Sequence, residues 1–183
     1  TKSHPNQNLG RELLELFCLG RVDPVTGAQN YTQTDVIEVS RALSGWRYDW
    51  GDGSSYFDAG EWDNGQKTFL GAPRGAADLD DVLAAIVAHP SWKRYAVARL
   101  YRDLTGLTAT PSVVTALSAS WGADGNIKRV VKAIAKRPEF LSDQAIFNRT
   151  KTPVERVVGA ARLLGWPGLG AEISLPWWLD RMG

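Results

Sequence analysis

Apolar residues recur along most of the chain at the spacing of an amphipathic α-helix. The first run places them at i, i+4, i+7 and i+8 and consists of Leu9, Leu13, Leu16 and Phe17. Gly20 ends this run, as glycine often does at the C-terminus of a helix. The pattern predicts a first helix whose apolar face includes Leu13 and Phe17.

Six further helices are predicted, and several of them carry clear start signals. Thr32 and Asp35 form a T-x-x-D capping signal, and Pro111 stands at a first helical position. The string Thr152-Pro153-Val154-Glu155 combines an N-cap, a first-turn proline and a capping-box glutamate. The predicted fold is therefore mainly α, a single domain over residues 1–183. Because we find no fixed repeat, we expect an irregular multi-helix domain and not a regular solenoid. Its predicted core contains Leu13, Phe17, Val36, Leu43, Leu83, Ile86, Leu100, Val131, Ile134 and Val158.

The helical period is lost in an aromatic and acidic insertion at about residues 46–71. Within it, Trp46-Arg47-Tyr48 and Ser55-Tyr56-Phe57 flank a Gly51-Asp52-Gly53 turn signal, which predicts a short β-hairpin. The string Lys67-Thr68-Phe69-Leu70 predicts one further short strand. If the chain has a functional site, this insertion is where we expect it.

Acidic side chains of the insertion offer one candidate chemistry, since a glycine-rich acidic loop can supply the oxygen ligands that Ca²⁺ requires. The acids are Asp49, Asp52, Asp58, Glu61 and Asp63, and their spacing does not match an EF-hand. The competing interpretation is that these aspartates form turns in a solvated loop. A calcium-like cation would require at least three of the carboxylates to converge.

Aromatic side chains of the same insertion offer a second candidate, because exposed rings flanked by carboxylates are typical of a carbohydrate site. Paired carboxylates could also hydrolyse a glycosidic bond. Alternating aromatics can instead fill a small satellite core beneath the hairpin. The ligand-binding candidates are Trp46, Asp49, Asp52, Asp58, Trp62 and Asp63.

Charged residues of the first two predicted helices could form an ion-pair network. The candidates are Arg11, Glu12, Glu15 and Arg41, with Arg11–Glu15 or Arg41–Glu12 as the pairs. Buried pairs of this kind hold geometry and are not by themselves catalytic. We assign no catalytic residue, because Cys18 is the single cysteine and His89 the only histidine away from the N-terminus.

The net charge of +1 conceals two halves of opposite sign. Residues 1–90 contain 7 Lys/Arg against 13 Asp/Glu, whereas residues 91–183 contain 14 against 7. Lys128, Lys132 and Lys136 line one face of a predicted helix, which could contact an anionic polymer or could simply face solvent. No base-reading motif accompanies them, so we do not expect a nucleic-acid partner. No apolar run reaches the roughly 20 residues of a membrane-spanning helix.

Five strings of the sequence form a recognisable set when they are taken in order. They are Asn8-Leu9-Gly10-Arg11-Glu12-Leu13-Leu14-Glu15-Leu16-Phe17, Tyr31-Thr32-Gln33, Arg41-Ala42-Leu43-Ser44-Gly45-Trp46, Lys67-Thr68-Phe69-Leu70-Gly71 and Lys151-Thr152-Pro153-Val154-Glu155. Their order and spacing resemble the bacterial "domain of unknown function 1800" family. The resemblance implies an exported protein, periplasmic or extracellular, and longer than this chain, of which these residues would be the middle portion. Relatives carry a His-Asp pair where this chain has Trp62-Asp63.

The sequence therefore supports a helical structural or binding module of an exported bacterial protein. Its partner would be the remainder of its own polypeptide, another protein or a carbohydrate, and Trp177-Trp178 could be a docking pair. The alternative is an extracytoplasmic, hydrolase-like enzyme that acts on polysaccharide through the acids of the insertion.

Overall fold

The described part of the chain, residues 1–146 and 148–165 of a computed structural model, contains seven α-helices. They are α1 (Gln7–Glu12), α2 (Gln33–Ala42), α3 (Leu79–Ala88), α4 (Pro90–Thr105), α5 (Pro111–Ala119), α6 (Ile127–Ala135) and α7 (Pro153–Leu163). Short 3₁₀ turns occupy Ala59–Glu61 and Pro138–Leu141. The prediction of a mainly α fold is confirmed, and none of the described helices is long and apolar enough to cross a membrane.

The helices begin where the sequence provides capping side chains. Thr32 and Asp35 form a reciprocal capping box before α2, and Thr152 and Glu155 form another before α7. These side chains bind amide groups that have no partner within the first turn of a helix. The structure confirms these predicted start signals. Each acts between residues only three positions apart, so it could be recognised from the sequence alone.

The first helical segment departs from the predicted pattern. After α1 the chain continues as a π-helix, Leu13–Cys18, in which backbone hydrogen bonds join residues i and i+5. The amide of Leu19 donates to the carbonyl of Leu14 at 2.8 Å, and both side chains are fully buried. Phe17, by contrast, is 71% exposed. The prediction that Phe17 is buried is wrong, because it extended a 3.6-residue period into a segment with wider turns.

Most of the remaining predicted core residues point inward. Val36, Leu43, Ile86 and Ile134 are buried, and the partly buried members are Leu13, Leu100, Val131 and Val158. Leu83 is 40% exposed, so its predicted burial is wrong. Helix α3 turns Val82, Ala85 and Ile86 toward the core instead, and this narrower face leaves Leu83 at its edge.

Buried side chains form two clusters. The first combines residues from the π-helix, α2, α3 and the strand that contains Phe69, and the second combines residues from α4, α5 and α6. Trp92 packs against both clusters, and its ring centroid lies 5.4 Å from that of Trp121 in the second. One aromatic side chain therefore joins the two halves of the core.

Gly10 allows α1 and α2 to approach closely. A Cβ at this position would lie 2.4 Å from the Ser40 hydroxyl and 3.0 Å from the Val36 carbonyl. Ser40 donates its own hydrogen to that same carbonyl at 2.6 Å. The glycine of the first sequence string is thus explained by a helix crossing.

The described β-structure consists of two antiparallel strand pairs and an isolated bridge between Val22 and Gln29. Strands β1 (Trp46–Tyr48) and β2 (Ser55–Phe57) form the predicted hairpin, with Trp46 opposite Phe57 and Tyr48 opposite Ser55. The predicted further strand is β3 (Lys67–Phe69), and it pairs with β4 (Ala72–Gly75). At the entrance to β1, Gly45 has a φ of +89°, and a Cβ there would lie 3.0 Å from the Asp58 carbonyl.

Candidate functional site

One face of the β1–β2 hairpin presents aromatic side chains. Because side chains alternate between the two faces of a strand pair, Trp46, Tyr48 and Phe57 share this face while Tyr56 lies on the opposite one. The ring centroids of Trp46 and Phe57 are 5.6 Å apart in an edge-to-face arrangement. Trp50, in the hairpin turn, packs edge-to-face on Tyr48 at 4.8 Å. We call Trp46, Tyr48, Trp50 and Phe57 the aromatic face.

The aromatic face is open to solvent. Trp46 is 48% exposed and Trp50 is 89% exposed, with Tyr48 and Phe57 also near half exposure. Each of these rings is at least 44% exposed, so none of them is buried in a satellite core beneath the hairpin. The exposure argues against the satellite-core interpretation and leaves carbohydrate binding a prediction.

A cleft of about 200 Å³ opens at the base of the aromatic face. Trp46 and Phe57 form one wall of this cleft. The opposite wall consists of Asp78, Leu79 and Asp80, at the start of α3. Asp78 accepts hydrogen bonds from the amides of Asp80 and Asp81, which fixes its carboxylate as the N-cap of α3. The cleft therefore combines ring faces with carboxylate oxygens. The sequence interpretation included Trp46 but missed Asp78 and Asp80, which lie outside the insertion.

The aspartates of the insertion bind backbone amides two residues ahead. Asp49 accepts from Gly51 at 2.7 Å, Asp52 from Ser54 at 2.8 Å and Asp58 from Gly60 at 2.9 Å. This is the local geometry by which aspartate stabilises a turn. Glu61 and Asp58 also lie near Arg47, at 3.5 and 3.9 Å. Within the described residues, no three His, Cys, Asp or Glu side chains are grouped closely enough to hold a metal ion.

Arg41 joins helix α2 to the end of the insertion. Its guanidinium donates to both carboxylate oxygens of Asp63, at 2.7 and 3.1 Å, and to Glu38 at 2.9 and 3.0 Å. The hydrogen bonds from Arg41 lower the pKa of Asp63, and they raise the pKa of Arg41 in return. Asp63 is therefore an ionised structural anchor, held by a bidentate pair.

Lys67 lies beneath this pair and beside Trp62. Its Nζ donates to the carbonyls of Asp63 at 2.5 Å and Gly65 at 3.1 Å, and it lies 5.4 Å from the centroid of the Trp62 ring. Burial lowers the pKa of Lys67, although the nearby Asp63 charge opposes that shift. Trp62 also packs edge-to-face on Phe57 at 6.1 Å. Trp62 therefore packs against the aromatic face through Phe57, while Asp63 is engaged by Arg41, and neither is one of the four rings that define the face.

The other predicted ion-pair residues are divided among different partners. Arg11 donates to Gln33 at 2.8 Å, and Glu12 accepts from Asn8 at 2.7 Å. Glu15 accepts from the Tyr31 hydroxyl at 2.5 Å. Neither the Arg11–Glu15 pair nor the Arg41–Glu12 pair forms, since Arg41 is taken by Asp63 and Glu38. The cause is the insertion, which folds back on α2 and brings Asp63 to the arginine.

A small polar pocket of about 260 Å³ surrounds Glu15. Its lining includes Arg11, Arg21 and Tyr31. Burial and the hydrogen bond to Glu15 raise the pKa of Tyr31 to about 12. Tyr31 therefore stays protonated and serves as a donor that orients the glutamate.

A buried polar network that sequence reasoning missed centres on Asp23. Its carboxylate lies 2.5 Å from the Ser91 hydroxyl and 2.8 Å from Arg94, and the same hydroxyl lies 2.6 Å from Asn30. Burial alone would raise the pKa of Asp23, but the hydrogen bonds from Ser91, Arg94 and two backbone amides outweigh it and lower the pKa. The available signal was the Asp23-Pro24 turn, which by itself does not reveal a partner 68 residues away.

His89 and the basic stripe have structural positions. His89 is the N-cap of α4, where its Nδ1 accepts from the Ser91 amide at 3.2 Å, and burial lowers its pKa. Lys128 and Lys132 on α6 and Lys136 at its C-cap are exposed, opposite the buried Val130 and Ile134. Trp177 and Trp178 lie outside the described residues.

A protein-family model matches the chain. The model of a family described as "Protein of unknown function (DUF1800)" matches residues 1–183, which confirms the resemblance seen in the sequence strings. No match was found among the curated proteins or among the solved structures.

Proposed function

The chain belongs to the DUF1800 family, and we propose that it is a helical binding module of an exported bacterial protein that binds carbohydrate on its aromatic face. The observation that carries the proposal is the exposure of four aromatic rings on one side of a small hairpin. Export is supported by the resemblance of the sequence strings to exported members of the family. The carbohydrate is supported by the chemistry of the face.

Sugar rings present C–H groups that stack on an aromatic face and hydroxyl groups that donate hydrogen bonds. The aromatic face supplies rings, and Asp78 and Asp80 at the adjoining cleft supply carboxylate acceptors. Trp46 and Tyr48 lie in β1 and Trp50 lies beyond it in the hairpin turn, so the exposed rings extend from the base of the hairpin to its turn. A row of rings suits an oligosaccharide better than a single sugar.

The contacts of the insertion favour binding over hydrolysis. A glycosidase needs one carboxylic acid with a raised pKa to protonate the leaving group. The hydrogen bonds that Asp52 and Asp63 accept lower their pKa values, which is the opposite shift. Asp49 and Asp58 are engaged with turn amides. We therefore assign the insertion a binding role.

Affinity electrophoresis through gels that contain neutral polysaccharides tests the proposal. We would use laminarin, xylan, dextran and soluble chitin oligomers as separate probes. At least one should retard the protein, and Trp50→Ala should weaken that binding about tenfold, because exposed tryptophans are frequent hot spots. Trp50 is 89% exposed, so its removal should leave the fold intact.

Tyr56→Ala is the matched control, since Tyr56 has similar exposure to Tyr48 but lies on the other face of the hairpin. It should bind like the unmodified protein. Absence of retardation by every polysaccharide, or an equal loss in Tyr56→Ala and Trp50→Ala, would refute carbohydrate binding at the aromatic face.

A further inference from the structure

A second cleft, of about 580 Å³, lies between the π-helix and helix α4, away from the aromatic face. Its volume falls in the range of small-molecule sites. Apolar side chains form much of its lining, namely Leu16, Val22, Pro24, Ala98 and Ala109. The other lining residues are Tyr95, Arg99, Arg102 and Thr108.

The π-helix shapes one wall of this cleft. Its wider turns direct the Leu16 carbonyl toward α4, where Arg99 donates to it at 2.6 Å and the Tyr95 hydroxyl donates at 3.1 Å. The same geometry leaves the Leu16 side chain half exposed at the cleft. π-Helical turns occur frequently at functional sites. Here the π-helix contributes the half-exposed Leu16 side chain to the apolar wall of the cleft.

The charged side chains that line the cleft are two arginines, Arg99 and Arg102. Arg99 and Arg102 lie three residues apart and so share one face of α4, and none of the described residues that line the cleft is acidic. A guanidinium has five N–H donors. Within the described part of the chain, Arg99 binds the Leu16 carbonyl and the Tyr95 hydroxyl through Nη1, and its other donors can face a ligand. The cleft therefore combines an apolar wall with a site for an anion.

We propose that this cleft binds a long-chain monocarboxylate, with the carboxylate on Arg99 and Arg102 and the alkyl chain against Leu16, Val22 and Ala98. A bidentate contact between guanidinium and carboxylate is among the stronger hydrogen-bonded pairs. A polypeptide fits less well, because its backbone amides would need several hydrogen-bond partners. Besides the arginines, the described side chains that line the cleft offer the hydroxyls of Thr108 and Tyr95 alone, and the Tyr95 hydroxyl is bound to the Leu16 carbonyl.

Isothermal titration calorimetry with dodecanoate below its micellar concentration tests this inference. We expect saturable binding at one site, about tenfold weaker binding of dodecanol, and weaker binding of hexanoate. Arg102→Gln should reduce dodecanoate affinity about tenfold, since it removes one charged donor. Arg156→Gln is the matched control, because Arg156 is an exposed arginine on α7 that does not line the cleft, and it should bind like the unmodified protein.

Ala109→Phe provides a variant that keeps both charges but fills the cleft, and it should also abolish dodecanoate binding. Circular dichroism would show whether each variant remains folded, and Arg102→Gln should do so because Arg102 is exposed. Equal affinity for dodecanol and dodecanoate, equal losses in Arg102→Gln and Arg156→Gln, or no saturable binding would overturn the inference. So would binding to phosphatidylglycerol vesicles, or to a peptide with a free C-terminal leucine, in place of dodecanoate.

Discussion

Lys67 brings a charged group into the protein interior, with only 2% of its surface exposed. Its ammonium replaces hydration with the carbonyls of Asp63 and Gly65 and with the ring of Trp62. A buried charge is tolerated only where such partners are fixed in place. The lysine thus acts as a support for the segment from which the hairpin extends.

Replacing Lys67 with methionine should lower the free energy of unfolding by about 1–3 kcal/mol, because two carbonyls lose their donor. Methionine keeps a long unbranched side chain, so the comparison isolates the lost hydrogen bonds. Urea denaturation followed by circular dichroism would measure the change. Lys132→Met, on the exposed face of α6, should alter stability by less than about 0.5 kcal/mol. Similar small effects from both substitutions would contradict the supporting role.

His89 should make stability depend on pH. Burial lowers its pKa below the value of about 6.5 that an unfolded histidine has. Between about pH 7 and pH 5 the unfolded chain therefore takes up a proton more readily, and stability falls as the pH falls. His89→Asn keeps a side-chain acceptor at the N-cap of α4 and should remove this part of the slope. Urea midpoints across that range would test it, and an unchanged slope in the variant would refute it.

At the scale of the element, the π-helix reverses the expected roles of neighbouring apolar residues. Leu14 and Leu19 are buried at a spacing of five, while Phe17 faces solvent. We therefore expect Leu14→Ala to cost about 2–5 kcal/mol of stability. Phe17→Ala should cost less than about 0.5 kcal/mol, as is usual for surface positions. Chemical denaturation would measure the free energy of unfolding of the two variants. A larger loss of stability for Phe17→Ala than for Leu14→Ala would show that a regular helix forms in place of the π-helix.

At the scale of the whole molecule, two core clusters share Trp92. The network of Asp23, Ser91 and Arg94 crosses the same boundary, because Asp23 lies in the loop after the π-helix and the other two lie in α4. Both features tie the first cluster to the second. The two clusters should consequently open as one unit.

Trp92→Ala tests that coupling. It should lower stability by roughly 3 kcal/mol, since it removes a large side chain from both clusters. Native-state hydrogen exchange should give equal opening free energies for α2 and α6 in the unmodified protein and unequal ones in the variant. Trp50→Ala, which removes an exposed tryptophan, should leave them equal. Unequal opening in the unmodified protein would contradict the coupling.

Features that depend on residues close in sequence were predictable. The capping boxes at Thr32 and Thr152 act over three positions, and the β1–β2 hairpin follows from alternating aromatics around a glycine-rich turn. The turn-forming role of the insertion aspartates, one of the two interpretations offered, rests on amides two residues away. Local hydrogen bonds of this kind need no knowledge of the rest of the chain.

Other features were decided by tertiary structure, because they depend on contacts between distant residues. Arg41 pairs with Asp63 and not with Glu12, since the insertion returns to α2, and Asp23 finds Ser91 only once α4 packs beside the π-helix. The sequence by itself determined the helical class, the helix starts and the hairpin, through short-range periodicity and capping. Tertiary packing decided the π-helical turn, the burial of Lys67 and both clefts. These features arise because the chain as a whole buries its apolar side chains best when some segments depart from the local 3.6-residue period.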